Sequence, residues 1–271
     1  MIIAQISDTH VTDIDQGVDC RYETAMHFQG ALKHISSLPV TPDVVLITGD
    51  CVDEGRVTEY QRFVELLRPL NIPVYVIPGN HDHRDHMRDV FGEQGSHHHP
   101  TYIQYVLEEW PVRLIALDTH IPGEAGGQLC EERLNWLESR LAEDVTRPTL
   151  LFQHHPPFDL GMPVLDEMGL AGAEALGQLV RRYSNVERIL AGHVHIHAQR
   201  LFHGTLAVTC PSTAHQTWID FRPQAGLAAV MTPPACLLHV WQENVGTVTY
   251  MSYIGEHGGL DVVHDGEKWL N

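Results

Sequence analysis

Five short clusters carry the side chains best suited to chemistry. They are Asp8-Thr9-His10, Gly49-Asp50 with Asp53 three residues on, Gly79-Asn80-His81-Asp82, His154-His155, and Gly192-His193-Val194-His195. Carboxylate, imidazole and carboxamide groups are ligands for hard and borderline metal ions. One Asp-x-His or His-x-His alone would mean little, because a buried Asp is often a cap and an Asn a turn residue. Five such clusters, each directly after an apolar run, point to a metal centre built at strand ends. The mix of His, Asp and Asn suits Fe, Mn, Co or Zn, whereas an all-oxygen set would suit Mg or Ca.

The apolar runs must therefore be the elements that position these groups. Ile2–Ser7 reads as a buried strand delivering Asp8 and His10, which share one face because side chains two apart on extended chain point the same way. Asp43–Thr48 is a second strand ending at Gly49-Asp50, where the glycine permits a sharp turn. Ile72–Ile77 leads to Asn80, Pro148–Phe152 to His154, and Val186–Ala191 to His193 and His195. Helical spacing predicts helices over residues 22–38, after Thr58 as N-cap, over 131–141, and through Leu176 to Tyr183. Residues 11–20 read as a loop, residues 83–101 as an irregular His-rich segment with His97-His98-His99 solvated, and residues 160–172 as a further loop. Tyr102–Leu107 and Val112–Asp118 read as a hairpin pair. Strand–helix alternation with ligands at strand ends implies a mainly parallel sheet with its site at the carboxyl edge. After about residue 197 the pattern becomes short antiparallel strands expected to complete a second sheet, with 218–234 a candidate lid or oligomer contact.

Composition limits the partners. The chain has 271 residues, 17 basic against 35 acidic side chains, and a net charge of −18. Such a surface repels long nucleic acids, yet a small phosphate ester held by metal ions is compatible with it. The five cysteines are scattered and odd in number, which fits a reducing compartment. The first residues read as a strand rather than a signal peptide, and no stretch reaches the ~18 apolar residues of a membrane span. The expectation is a cytoplasmic protein that does not enter a membrane.

The order Asp8-x-His10, Gly49-Asp50-x-x-Asp53, Gly79-Asn80-His81-Asp82, His154, Gly192-His193-x-His195 resembles the calcineurin-like metallophosphoesterase superfamily. The blocks His154-His155-Pro156-Pro157 and Pro211-Ser212-Thr213-Ala214-His215 resemble, within it, the bacterial class III cyclic nucleotide phosphodiesterases and the glycerophosphodiesterases. The resemblance implies an α/β fold, a four-layer α/β/β/α sandwich, with two metal ions per chain. One ion would be held by Asp8, His10, Asp50 and His195, the other by Asp50, Asn80, His154 and His193, with Asp50 bridging. It also implies Asp50, Asn80 and His81 as catalytic residues, and Asn80, His81, His195 and His215 as substrate contacts. His81 would either protonate the leaving alkoxide or brace a carboxylate such as Asp53. His155 is expected to pack or hydrogen-bond, and His197 to lie on the surface. Residues 1–197 would form the core and 198–271 a cap and oligomerisation segment continuous with it, giving a homo-oligomer.

The reaction expected is hydrolysis of a small phosphodiester, a 3′,5′-cyclic nucleotide or a glycerophosphodiester, by a metal-bound hydroxide. A phosphomonoesterase or nuclease on the same scaffold is the alternative, although a nuclease would want a basic track that this acidic chain lacks. A non-catalytic binding scaffold is a third reading, and the filled ligand positions argue against it.

Overall fold

The computed structural model describes residues 1–13, 17–255, 258–259 and 261–270. The chain runs β1 (Ile2–Ile6), α1 (Asp19–Tyr22), α2 (Thr24–Ser36), β2 (Val44–Ile47), α3 (Val57–Leu67), β3 (Val74–Val76) and α4 (Arg84–Phe91). It continues through β4 (Tyr105–Leu107), β5 (Arg113–Ala116), β6 (Gly127–Gln128), α5 (Glu131–Glu143), β7 (Thr149–Phe152), α6 (Pro163–Asp166), β8 (Leu170–Ala171), α7 (Ala173–Val180) and β9 (Val186–Ala191). It closes with β10 (Gln199–Phe202), β11 (Thr205–Thr209), β12 (Gln216–Thr217), β13 (Ala229–Val230), β14 (Ala235–Gln242) and β15 (Gly246–Tyr253).

Two large sheets carry the fold. One has the order β15-β14-β1-β2-β3, the other β10-β11-β9-β7-β5-β4. Strands β1, β2 and β3 are parallel, as are β5, β7, β9 and β11. Every candidate ligand therefore leaves its sheet at a carboxyl end. Burial alternates along the second sheet in a way that identifies its two faces. Leu114, Ala116, Leu150 and Phe152 join the core cluster that holds β1, β2 and residues of α2 and α3. Ile115, Leu117 and Leu151 face the other way, into a cluster with Leu137 and Leu141 of α5 and Leu176 and Leu179 of α7. Fully buried side chains such as Phe28, Ile35 and Phe63 each contribute roughly 1.5–3 kcal/mol by leaving water.

Several expectations are corrected. The helix expected over 22–38 is α2, but the loop expected over 11–20 ends in the short helix α1, which Glu23 in a left-handed conformation (φ 50°) separates from α2. Thr58 lies inside α3, not at its cap; the Glu59 carboxylate accepts the Arg56 backbone N–H at 3.0 Å and does the capping. Part of the irregular stretch 83–101 is the helix α4, which buries Met87 and packs Val90 and Phe91 against the core. His99 is buried rather than solvated, its Nδ1 accepting the Thr101 N–H at 3.1 Å. The loop 160–172 contains α6 and β8. The strands after 197 do not all complete the second sheet: β10 and β11 do, but β14 and β15 join the first beside β1. Of the loop over 11–20, residues 14–16 lie outside the described residues.

Candidate metal centre

The ligand-type residues sit where the backbone turns abruptly. Asp8 (φ 53°), His10 (φ 43°), Asp50 (φ 48°), His193 (φ 70°) and His195 (φ 53°) all occupy the left-handed region. That region costs a non-glycine residue roughly 1–2 kcal/mol. Five such residues at one place indicate backbone strain held for a purpose. The turns are locked by tertiary hydrogen bonds. Asp8 N–H donates to Gly49 O at 3.1 Å, His10 N–H to Asp50 O at 3.0 Å, and His193 N–H to Asp8 Oδ1 at 3.0 Å. The glycines preceding two of the clusters are needed for close approach. A Cβ on Gly49 would lie 2.5 Å from His154 Nδ1, and one on Gly192 would lie 1.9 Å from Ser7 Oγ.

Each imidazole is oriented by its far nitrogen. His154 Nδ1 donates to Thr48 O at 2.8 Å, His195 Nδ1 to His215 O at 3.0 Å, and His193 Nε2 to Met168 O at 3.1 Å. His10 Nδ1 donates to Asp53 Oδ1 at 3.0 Å. A carbonyl or carboxylate oxygen only accepts, so each of those nitrogens carries the proton and the other is left to face inward. The inward atoms crowd together. His10 Nε2 is 3.1 Å from His195 Nε2, while Asn80 Oδ1 is 3.1 Å from His154 Nε2 and 3.0 Å from His193 Nδ1. Asp50 Oδ2 lies 3.4 Å from His154 Nε2 and 3.6 Å from His10 Nε2. Lone pairs facing lone pairs call for a cation between them. The donor sets Asp8–His10–His195 and Asp8–Asp50–His154 each lie within 4.8 Å of one another.

Electrostatics agree. Burial works to raise the Asp50 carboxyl, yet the surrounding His154, His81 and His10 hold it well below its usual range. Burial raises the Asp8 carboxyl. Burial works to lower His154, but Asp50 and Asp8 lift it to about 9. That demand at Nε2 is for positive charge, which a metal ion or a proton can meet. His193, buried and beside His154, falls to about 3.

All seven predicted ligands, Asp8, His10, Asp50, Asn80, His154, His193 and His195, thus come together in space, with His81 and His215 at the rim. His81 Nδ1 donates to the Asp53 backbone carbonyl at 2.6 Å and lies 3.6 Å from the Asp53 carboxylate, which also accepts from His10 Nδ1. The His215 ring stacks on Tyr22 with centroids 4.2 Å apart. His197, expected on the surface, is half-buried because its Nδ1 donates to Thr209 O at 3.0 Å. Sequence reasoning gave no role to Asp82. Its carboxylate accepts the backbone N–H groups of Cys51 (3.1 Å) and Gly79 (2.9 Å) and the Tyr60 hydroxyl (2.8 Å), tying the Asp50 and Asn80 turns together. The Gly-Asn-His-Asp block was the available signal. A cavity of about 270 Å³ opens over the cluster, walled by Tyr22, Ala125, Leu165, Met168 and Leu227 among others.

Comparison with known proteins follows the same line. A model of the calcineurin-like phosphoesterases matches residues 1–197. Over 260 residues the chain is 37% identical to a probable glycerophosphodiester phosphodiesterase GpdQ of Arcobacter nitrofigilis, spanning 96% of this chain and 95% of that one. It is 30% identical over 221 residues to the 3′,5′-cyclic adenosine monophosphate phosphodiesterase CpdA of Escherichia coli K12, spanning 82% and 78%. Its fold is similar to that of a dimetal phosphatase from Danio rerio, with a TM-score of 0.68 at 15% identity over 94% of this chain and 99% of the other. With its strand-end carboxylates and imidazoles gathered under one pocket, the chain belongs to the calcineurin-like phosphoesterase family.

Proposed function

We propose that this chain is a metal-dependent phosphodiesterase acting on small diesters, with glycerophosphodiesters as its leading substrate class. The observation that carries this reading is the convergence of four oriented imidazoles, Asp8, Asp50 and Asn80 on one small volume beneath a pocket. Asp8, His10, Asp50 and His195 would hold one ion and Asp50, Asn80, His154 and His193 a second, each Fe, Mn, Co or Zn. Two ions bound there supply Lewis acidity to the phosphoryl oxygens and acidify a water molecule.

The chain's own groups do the remainder. Asp50 belongs to both ligand sets, and Asn80, which would serve the second ion, also lines the pocket that would take the phosphoryl group. His81 has its Nδ1 committed to Asp53 O, so its Nε2 is the nitrogen free to hold a proton near the departing alkoxide. His195 and His215 line the same pocket and are assigned to substrate contact. The relative named for glycerophosphodiesters aligns with 96% of this chain, and the one named for cyclic AMP with 82%. That difference ranks the first class above the second.

Two further readings accompany the first. A homo-oligomer is supported by the exposed Trp218, Ile219, Met251 and Tyr253, which border an apolar groove of about 810 Å³. A cytoplasmic location is supported by five unpaired thiols, and no helix among the described residues is long and apolar enough to cross a membrane. The decisive experiment measures kcat/KM for glycerophosphoethanolamine and cyclic AMP on protein stripped and reloaded with Mn²⁺. A preference of about tenfold or more for the first is expected. The reverse preference would make the chain a cyclic nucleotide enzyme, and no turnover of either, nor of an aryl diester, would overturn the reading.

A further inference from the structure

His155 stands beside the metal cluster and takes a different part. Its ring centroid is 4.4 Å from that of His193 and 4.8 Å from that of His154. By proximity it could be a ligand, since His154, His155 and His193 bring ring nitrogens within 4.8 Å of one another. Its hydrogen bonds say otherwise. Nε2 donates to Ala125 O at 3.1 Å, so Nδ1 is the acceptor, and it takes the Thr119 hydroxyl proton at 2.8 Å. Both nitrogens are used, and no lone pair is left for an ion.

What His155 holds is one wall of the pocket. Ala125, Leu165 and Met168 line that wall. Their two segments are joined by the short parallel pair β6–β8 and by Gly127 N–H donating to Gly169 O at 3.0 Å. His155 packs so tightly against the first segment that a Cβ on Gly127 would lie 2.3 Å from its Nδ1. The second segment is fastened by His193 Nε2 at Met168 O. The wall is thus pinned at Ala125 by His155 and at Met168 by His193.

We propose that His155 is a positioning residue that fixes the Ala125–Met168 wall and so sets the shape of departing alcohol the pocket accepts. The proposal rests on the phosphodiesterase reading of this pocket. Its test compares the Mn²⁺-loaded wild type with His155→Ala, His155→Gln and Thr119→Val. For glycerophosphoethanolamine, His155→Ala is expected to raise KM about tenfold while kcat stays within about threefold. For bis(4-nitrophenyl) phosphate, whose bulk gains from a loosened wall, KM should stay level or fall. His155→Gln, which can again donate an N–H toward Ala125, should recover part of the KM. Manganese content should match the wild type; loss of manganese would make His155 a ligand and overturn the proposal. An equal fall in kcat for both diesters would reduce it to a general structural role and overturn it too.

Two measurements keep the idea exposed if something else fails. If His155→Ala does not fold, Thr119→Val removes only the Nδ1 partner and should give the same KM split to a smaller degree; an unchanged KM would sink the proposal. Amide hydrogen exchange needs no turnover. Exchange across 121–127 and 163–171 should quicken in Thr119→Val and His155→Ala while β2 stays protected. Unchanged exchange there overturns the proposal even if the wild type cleaves neither diester, a result that would by itself count only against the proposed activity.

Discussion

The Nε2 atoms of His10 and His195 lie 3.1 Å apart, although each ring already gives its Nδ1 proton to an oxygen, Asp53 Oδ1 and His215 O respectively. Two lone pairs at that distance repel unless a cation sits against both. Replacing His195 by Ala should therefore remove one ion per chain and lower kcat/KM by about a hundredfold or more. Metal analysis of the purified variant beside its kinetics checks this; a full complement of metal would contradict it.

Asn80 is the one neutral oxygen ligand in the set assigned to the second ion, flanked by His154 and His193 at 3.1 and 3.0 Å. A carboxylate there adds a full negative charge. The variant Asn80→Asp should hold its second ion about tenfold more tightly. Retained manganese after graded chelator challenge is the readout, and equal retention in both proteins would count against the assignment.

Away from the candidate metal centre, Arg84 donates to Asp118 from Nε at 2.6 Å and from a terminal nitrogen at 2.9 Å, and Asp118 is fully buried. Burial works to raise this carboxyl, but the hydrogen bonds and charge of Arg84 and the charge of Arg133 leave it below its ordinary value. A carboxyl with a depressed folded pKa stabilises above its unfolded value, about 3.9, and loses that contribution as pH falls through the folded value. Asp118→Asn should cost about 3 kcal/mol at neutral pH, because it strands the Arg84 charge. The gap to wild type should narrow below about pH 4. Urea unfolding at several pH values measures it.

His239 has the opposite chemistry and the same direction of pH dependence. It is fully buried in β14, its Nε2 donating to Gln5 Oε1 at 3.0 Å, and burial followed by Arg188 lowers it to about 3. Between that value and its unfolded pKa of about 6.5, the unfolded chain binds a proton the folded chain does not. Stability is present above about 6.5 and declines toward lower pH by roughly 1.4 kcal/mol per pH unit for this one ring. His239→Gln keeps a donor for Gln5 and cannot titrate. Its stability relative to wild type should improve steadily from pH 6 to pH 4, and parallel curves would refute the point.

Much of the site was legible because ligand chemistry is local. Asp8, Asp50 and His154 follow runs of apolar, largely β-branched or Leu-rich residues whose length and composition announce strands. What escaped was set by tertiary contacts. Asp82 stands in the Gly-Asn-His-Asp block, but its part shows only when the turns it joins are brought together from Gly79 and Cys51. Helix α4 is short and mostly polar, and its apolar stripe of Met87, Val90 and Phe91 is easily lost in the His-rich stretch that follows. The placement of β14 could not be foreseen either, since its alternation would suit the edge of either sheet.

That placement bears on how the molecule is made. Strand β1 is synthesised before the chain's other strands, yet it lies in the middle of its sheet between β2 and β14, with Ala4 opposite Leu238. Until residues 235–242 have been synthesised, one whole side of β1 is an open row of amide and carbonyl groups flanked by apolar side chains. The ligand-bearing span 1–197 could thus be translated in full and still be an unfinished sheet. A nascent or truncated chain ending there would carry every candidate metal ligand together with an unpaired strand edge, the kind of edge that pairs with neighbouring chains.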